Sequence, residues 1–114
     1  MQNQEIEKLI LCKALREYGI EAQKNKTIEE LSELIRALVG CKPPYGKTHQ
    51  EHIAEEIADV EIMIAQLKLY YPRMARNVEE VKESKLRRLA DRLGMAIIKL
   101  ATCDPAYDST IIVE

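Results

Sequence analysis

Large aliphatic residues recur every three or four positions along most of this chain. Around the segment AEEIADVEIMIAQL (54–67), one such strip consists of Ile53, Ile57, Val60, Ile64 and Leu67. This spacing is typical of the apolar face of an α-helix. The same periodicity predicts four helices, over about residues 3–18, 20–39, 49–71 and 73–93.

Residues that stop or start helices separate these segments. Gly19 predicts the end of the first helix, and the two prolines and the glycine in CKPPYGKTH (41–49) predict a loop after the second. Thr48 followed by Glu51 matches a capping box at the start of the third helix. Pro72 predicts the break between the third helix and the fourth.

These elements predict an all-α fold, a four-helix bundle of antiparallel helices with a C-terminal tail. Residues 1–93 are expected to form the helical domain. Residues 94–114 are expected to form an extension that packs on the bundle or on a neighbouring subunit. The β-branched stretch STIIVE (109–114) has no evident partner strand within the chain.

Composition narrows the function classes. With 114 residues, 46% of them hydrophobic, one folded domain is expected rather than a disordered chain. A net charge of −2 gives no overall field that favours nucleic acid or an anionic membrane. The basic stretch KESKLRRLADR (82–92) mixes acids with bases and has no aromatic side chain on which a base could stack. Nucleic-acid binding is therefore a weaker hypothesis than the two developed below, an enzyme and a helical interaction module.

The cysteines and the first residues bear on location. Cys12, Cys41 and Cys103 form no C-x-x-C pair and leave an odd thiol, which argues against a disulfide framework or a zinc knuckle. Residues 1–8 are polar, unlike a signal peptide, and no apolar run approaches the roughly 18 residues of a membrane span. We therefore expect a cytoplasmic protein.

Acidic pairs occur on two successive predicted helices. Glu56 and Asp59 lie at the edge of an apolar strip, where an ionised carboxylate costs several kcal/mol unless it is compensated. Glu30 and Glu33 repeat the i, i+3 spacing on the second helix, so each pair points to one side of its helix. If these helices are antiparallel neighbours, the four carboxylates converge and repel one another.

A divalent cation relieves such repulsion, and carboxylate oxygens suit Mg²⁺. Two such ions can clamp a phosphoryl group and activate water. The plain alternative, stronger for Glu30 and Glu33, is a solvated helix surface. A di-iron site requires Glu-x-x-His on two helices, which is absent, and a zinc site at His49 and His52 would need carboxylates to complete it. His52 itself is either a polar residue at a helix start or a substrate contact.

The segments EELSEL (29–34) and EEIADVEIMI (55–64) together resemble the signature of the MazG-like all-α nucleoside triphosphate pyrophosphohydrolases. That signature is Glu-x-x-Glu, a spacer and Glu-x-x-Asp on two antiparallel helices. Here 22 residues (34–55) separate the two halves. The resemblance extends over about residues 1–93.

The resemblance implies that Glu30, Glu33, Glu56 and Asp59 bind Mg²⁺, with Mn²⁺ as a substitute. It also implies that water attacks the α-phosphorus of a (d)NTP, giving (d)NMP and pyrophosphate. Family members pair subunits, so a homodimer or homotetramer that completes the bundle and the pocket is expected.

Further roles follow from the same resemblance. Glu29 and Glu55 are candidate catalytic acids that orient the water or lie behind the metal ligands. The basic residues Lys82, Lys85 and Arg88 are candidate phosphate contacts, and for each a solvated helix surface is the alternative. The family often places Trp or Phe around the base. This chain has only Tyr, which leaves base selectivity open. The rival function is a non-catalytic helical interaction module whose acids only confer solubility.

Overall fold

A computed structural model of the protein describes residues 3–95. Within this range the chain is helical, without strands, and its four helices are α1 (Gln4–Tyr18), α2 (Ile20–Leu38), α3 (His49–Tyr70) and α4 (Pro72–Arg92). The predicted all-α class is confirmed, and each helix agrees with its predicted range to within about a residue at either end. None of the helices in this range is long and apolar enough to cross a membrane.

Local sequence signals explain where the helices begin and end. The Thr48 hydroxyl accepts the Glu51 N–H and the Glu51 carboxylate accepts the Thr48 N–H, both at 3.1 Å, which completes the predicted capping box of α3. Gly19 has a φ of 83° between α1 and α2, a conformation that disfavours residues with a Cβ. Pro72 is the first residue of α4, where its missing N–H costs no helical hydrogen bond.

The described chain falls into two compact units, residues 3–75 and 76–95, and the boundary lies within α4. In the second unit, Arg87 Nη2 lies 2.8 Å from Glu83 Oε1 one turn earlier, and α4 ends at Arg92 just before Gly94. Residues 96–114 are outside the described range. The expected C-terminal extension and the stretch STIIVE therefore stay predictions.

In the first unit, α2 packs on α3, and α1 contacts both of them. The packing is antiparallel, because Gln23 near the start of α2 contacts Gln66 near the end of α3. The buried apolar residues of this unit are Ala37, Val60 and Met63. The four-helix bundle and its completion by a second subunit stay predictions.

The buried side of α2 is mostly polar. The buried residues are Gln23, Thr27, Glu30 and Ala37. The aliphatic stripe of the same helix is left largely exposed and consists of Ile28, Leu31, Ile35 and Leu38. Periodicity alone would have buried the aliphatic stripe. The packing of α2 on α3 instead turns the acidic side inward, and the small Ala37 is buried on that side.

Candidate metal centre

A buried amide pair fixes the register between α2 and α3. Gln23 Nε2 donates to Gln66 Oε1 at 2.7 Å. The neighbouring Thr27 hydroxyl donates to the Gln23 carbonyl oxygen at 2.7 Å, so it is satisfied within its own helix. Glu30 lies two turns after Gln23 on α2, and Asp59 lies two turns before Gln66 on α3. Because the helices are antiparallel, Glu30 and Asp59 therefore lie side by side.

Three of the four predicted metal ligands come together at this level, and we call Glu30, Glu56 and Asp59 the acidic cluster. One carboxylate oxygen from each lies within 4.8 Å of the others. The side chains of Glu30 and Glu56 are only 11% and 13% exposed, whereas Asp59 opens toward solvent. The cluster is therefore a partly buried site with one open side.

The electrostatics of the cluster oppose full ionisation. Burial raises the pKa of Glu56, and the charges of Asp59, Glu30 and Glu33 raise it further, while His52 opposes them. Glu33 is half-buried and outside the acidic cluster, yet its charge still acts on Glu56. The Glu56 carboxyl group thus holds its proton more tightly than an isolated glutamate does.

Asp59 behaves in the same way. The largest cause of its raised pKa is partial loss of hydration, and a hydrogen bond with Glu30 and the charges of Glu30 and Glu55 raise the pKa further. Lys26 acts in the opposite direction. The surroundings of Glu56 and of Asp59 therefore both disfavour the charged form of the carboxyl group.

Lys26 is the cation that α2 supplies to this site, and sequence analysis missed it. Its Nζ lies 3.2 Å from Glu30 Oε1 and 3.4 Å from Glu29 Oε1. A hydrogen bond with Glu30 and the charges of Glu29 and Glu30 raise the pKa of Lys26. The i, i+4 spacing of Lys26 and Glu30 was the available signal. A single lysine leaves the cluster negative.

His52 packs against the cluster. Its Nε2 lies 3.5 Å from Glu56 Oε1, its side chain is 8% exposed, and its buried Nδ1 has no hydrogen-bond partner among the described residues. Nε2 is therefore the ring nitrogen of His52 that faces the acidic cluster. Its predicted substrate contact stays a prediction. His49 is exposed.

The two predicted catalytic acids lie on the exposed rim. The side chains of Glu29 and Glu55 are 60% and 51% exposed, and each is ion-paired, Glu29 with Lys26 and Glu55 with Lys47. Glu55 is close enough to Asp59 to raise its pKa. Their catalytic roles stay predictions.

The predicted phosphate contacts Lys82, Lys85 and Arg88 are exposed on α4 in the second unit. Lys82 Nζ lies 3.8 Å from Glu79 Oε2, a solvent-exposed pair of the kind that contributes little stability. The side chains thus remain accessible, and their contact with a triphosphate stays a prediction.

The donor set of the acidic cluster fits a hard divalent cation. Its three carboxylates supply oxygen ligands, and its open side leaves room for water or a substrate oxygen, as Mg²⁺ requires. Burial raises the pKa values of Glu56 and Asp59 most, and the neighbouring carboxylate charges raise them further; such an ion would neutralise those charges. No protein family, curated protein or solved structure matches this chain.

Proposed function

We propose that this protein is a Mg²⁺-dependent nucleoside triphosphate pyrophosphohydrolase that converts (d)NTP to (d)NMP and pyrophosphate. The observation that carries the proposal is the convergence of Glu30, Glu56 and Asp59 within 4.8 Å at a partly buried, undercompensated site. The resemblance of the two acidic motifs to those of the MazG-like enzymes supports the same reading. A homodimer or homotetramer in the cytoplasm belongs to this proposal.

The acidic cluster would hold Mg²⁺, and Mn²⁺ would substitute. Glu33 is the fourth ligand in this proposal, supported by its electrostatic effect on Glu56. When bound, Mg²⁺ supplies positive charge to the triphosphate oxygens and makes the attacking water more acidic. His52 keeps the Glu56 carboxylate turned toward the cluster, because its Nε2 faces that carboxylate from the buried side.

The rim acids handle the proton of the attacking water. Glu55 is better placed than Glu29, because its charge acts on Asp59 of the acidic cluster. Glu55 therefore accepts the proton in our proposal, and Lys47 beside it holds the carboxylate in position. Glu29 retains Lys26 at the edge of the site.

Basic residues of α4 would contact the substrate. Lys82, Lys85 and Arg88 supply positive charge for the phosphate oxygens that become more negative during the reaction. Tyrosine is the only aromatic type available to stack on the base, and Tyr45 in the loop before α3 is fully exposed. A broad or weak base preference is the expected consequence.

The test is a panel of NTPs and dNTPs incubated with purified protein and Mg²⁺, with products separated by ion-exchange chromatography. Monophosphate and pyrophosphate are expected, and diphosphate with phosphate would indicate a different reaction. Glu56→Gln and Asp59→Asn should each lower kcat by at least about a hundredfold. Glu61→Gln, an exposed acid of α3 outside the cluster, is the matched control and should retain activity. Absence of turnover for every nucleotide would favour the interaction-module hypothesis instead.

A further inference from the structure

A groove of about 510 Å³ lies between α1 and α3 in the first unit, and we call it the α1–α3 groove. Its volume falls within the roughly 300 to 1,000 Å³ that is typical of small-molecule sites. Most of the side chains that line it are apolar, namely Ile10, Leu11, Ala58, Ile62 and Ala65. A hydrocarbon group bound there would leave water, which is favourable.

Small residues of α3 open the groove. Ala58 and Ala65 are seven residues apart, so they lie on nearly the same side of α3 and about 10 Å apart along its axis. Each has only a methyl side chain, which leaves space beside α1 at both levels. An extended chain of six carbon atoms with a nitrogen at each end spans about 9 Å, at roughly 1.3 Å per bond. A linear ligand of this length can therefore contact both alanines.

Two carboxylates, one from each helix, complete the lining of the groove. The side chains of Glu7 and Glu61 are exposed, and neither carboxylate has a hydrogen bond or an ion pair among residues 3–95. No base stands three or four residues from either acid, where helical ion pairs form. Lys8 projects about 100° round α1 from Glu7, and Lys68 lies two turns, about 10 Å, beyond Glu61. Both negative charges are therefore left for a cation from outside the groove.

We propose that the α1–α3 groove binds a linear aliphatic diamine that is protonated at both ends. Its ammonium groups pair with Glu7 and Glu61, and its alkyl chain covers the apolar lining between α1 and α3. A bare divalent metal ion would leave that lining unused, and an alkyl carboxylate would be repelled by both acids. Because exposed ion pairs contribute little and an open groove covers only part of the chain, we expect a Kd of about 0.1 to 1 mM.

The groove is separate from the acidic cluster. At about 100° per residue, Glu61 lies on the opposite side of α3 from Asp59. The proposal is therefore independent of the proposed catalysis. Asp59→Asn should retain diamine binding, and Glu61→Gln should retain hydrolysis.

An NMR titration of the ¹⁵N-labelled full chain with 1,6-diaminohexane tests the location, at an ionic strength of about 0.15 M. The backbone amide signals of Ile10, Leu11, Ala58 and Ala65 should shift and saturate with one Kd, while that of Ile35 on α2 should not shift. Hexylamine, which has the same alkyl chain and one charge, should bind at least about tenfold more weakly. Equal shifts beside the acidic residues of every helix would overturn the proposal, because they would indicate an unspecific counterion.

Variants separate the two contributions to binding. Glu7→Gln with Glu61→Gln removes both charges and should raise the Kd for 1,6-diaminohexane at least about tenfold. Ala58→Leu keeps both charges but fills the groove, so it should also raise the Kd at least about fivefold. Position 58 is exposed, so circular dichroism should show an unchanged helix content.

Glu17→Gln with Glu80→Gln is the matched control, because it removes two exposed acids outside the groove. This variant should bind the diamine as the native chain does. A Kd that the groove variants leave unchanged, or that the control pair raises equally, would refute the proposal.

Discussion

Glu56→Gln should stabilise the metal-free protein while abolishing its stabilisation by Mg²⁺. The substitution preserves the shape of the side chain and its approach to His52 but removes one charge from the acidic cluster. Two unit charges 4.8 Å apart repel by about 3 to 4 kcal/mol at an effective dielectric constant of 20 and by about 1 kcal/mol in water. Since Asp59 is open to solvent while Glu30 is buried, the gain should lie between about 1 and 3 kcal/mol.

Thermal unfolding followed by circular dichroism in EDTA measures this gain. A change of about 1 to 3 kcal/mol corresponds to a rise in Tm of roughly 5 to 15 °C. Adding Mg²⁺ at about a hundred times its Kd should stabilise the native protein by about 2.7 kcal/mol and leave the variant unchanged. Glu61→Gln should shift neither value.

Two results would refute the reasoning. A Glu56→Gln variant less stable than the native chain in EDTA would mean that the carboxylate is compensated rather than repelled. A native chain whose Tm does not respond to Mg²⁺ or Mn²⁺ would mean that the cluster is an ordinary acidic patch.

Four further outcomes are expected. The folded state holds the protons of Glu56 and Asp59 more tightly than the unfolded chain does. Their contribution to the stability of the metal-free protein is therefore complete below the ordinary carboxyl pKa and is lost as pH rises through the raised pKa values. Urea unfolding in EDTA at a series of pH values measures this loss. Lys26→Met removes the cation that competes for the cluster, so calorimetry should show Mg²⁺ binding about two- to fivefold tighter. His52→Gln keeps a donor for its neighbouring carboxylate and should retain Mg²⁺ affinity, whereas His52→Leu should weaken binding about tenfold at similar stability. Lys85→Met should raise KM for a triphosphate about tenfold with little change in kcat, as steady-state kinetics would report.

The helices were predictable because their signals are local. Thr48 and Glu51 satisfy each other across a single turn, and Gly19 and Pro72 act through their own backbone geometry. None of these features depends on a distant residue. The bounds of the helices therefore follow from the sequence to within about a residue.

The orientation of α2 was not predictable in the same way. Its periodicity favours burial of the aliphatic stripe, yet Glu30 is buried on another side. That choice depends on the register with α3, which the contact between Gln23 and Gln66 fixes across a sequence distance of 43 residues. The contact of Lys26 with the acidic cluster was not predictable for a related reason, because a lysine one turn from an acid is common on any exposed helix.

The candidate site was partly predictable. The i, i+3 spacing correctly put Glu56 and Asp59 together on one side of α3. It could not indicate that Glu30 would join them at closer range than Glu33, since that depends on how far one helix slides along the other. Side-chain periodicity fixes directions around a helix but not the axial offset between two helices.

Hydrolysis of a triphosphate in H₂¹⁸O, followed by mass spectrometry of both products, tests the central claim most directly. Attack of water on the α-phosphorus puts one ¹⁸O atom into the nucleoside monophosphate and none into pyrophosphate, in a reaction that requires Mg²⁺ and is lost in Asp59→Asn. Label in pyrophosphate or in free phosphate, or no Mg²⁺-dependent product at all, would contradict the proposed reaction at the acidic cluster.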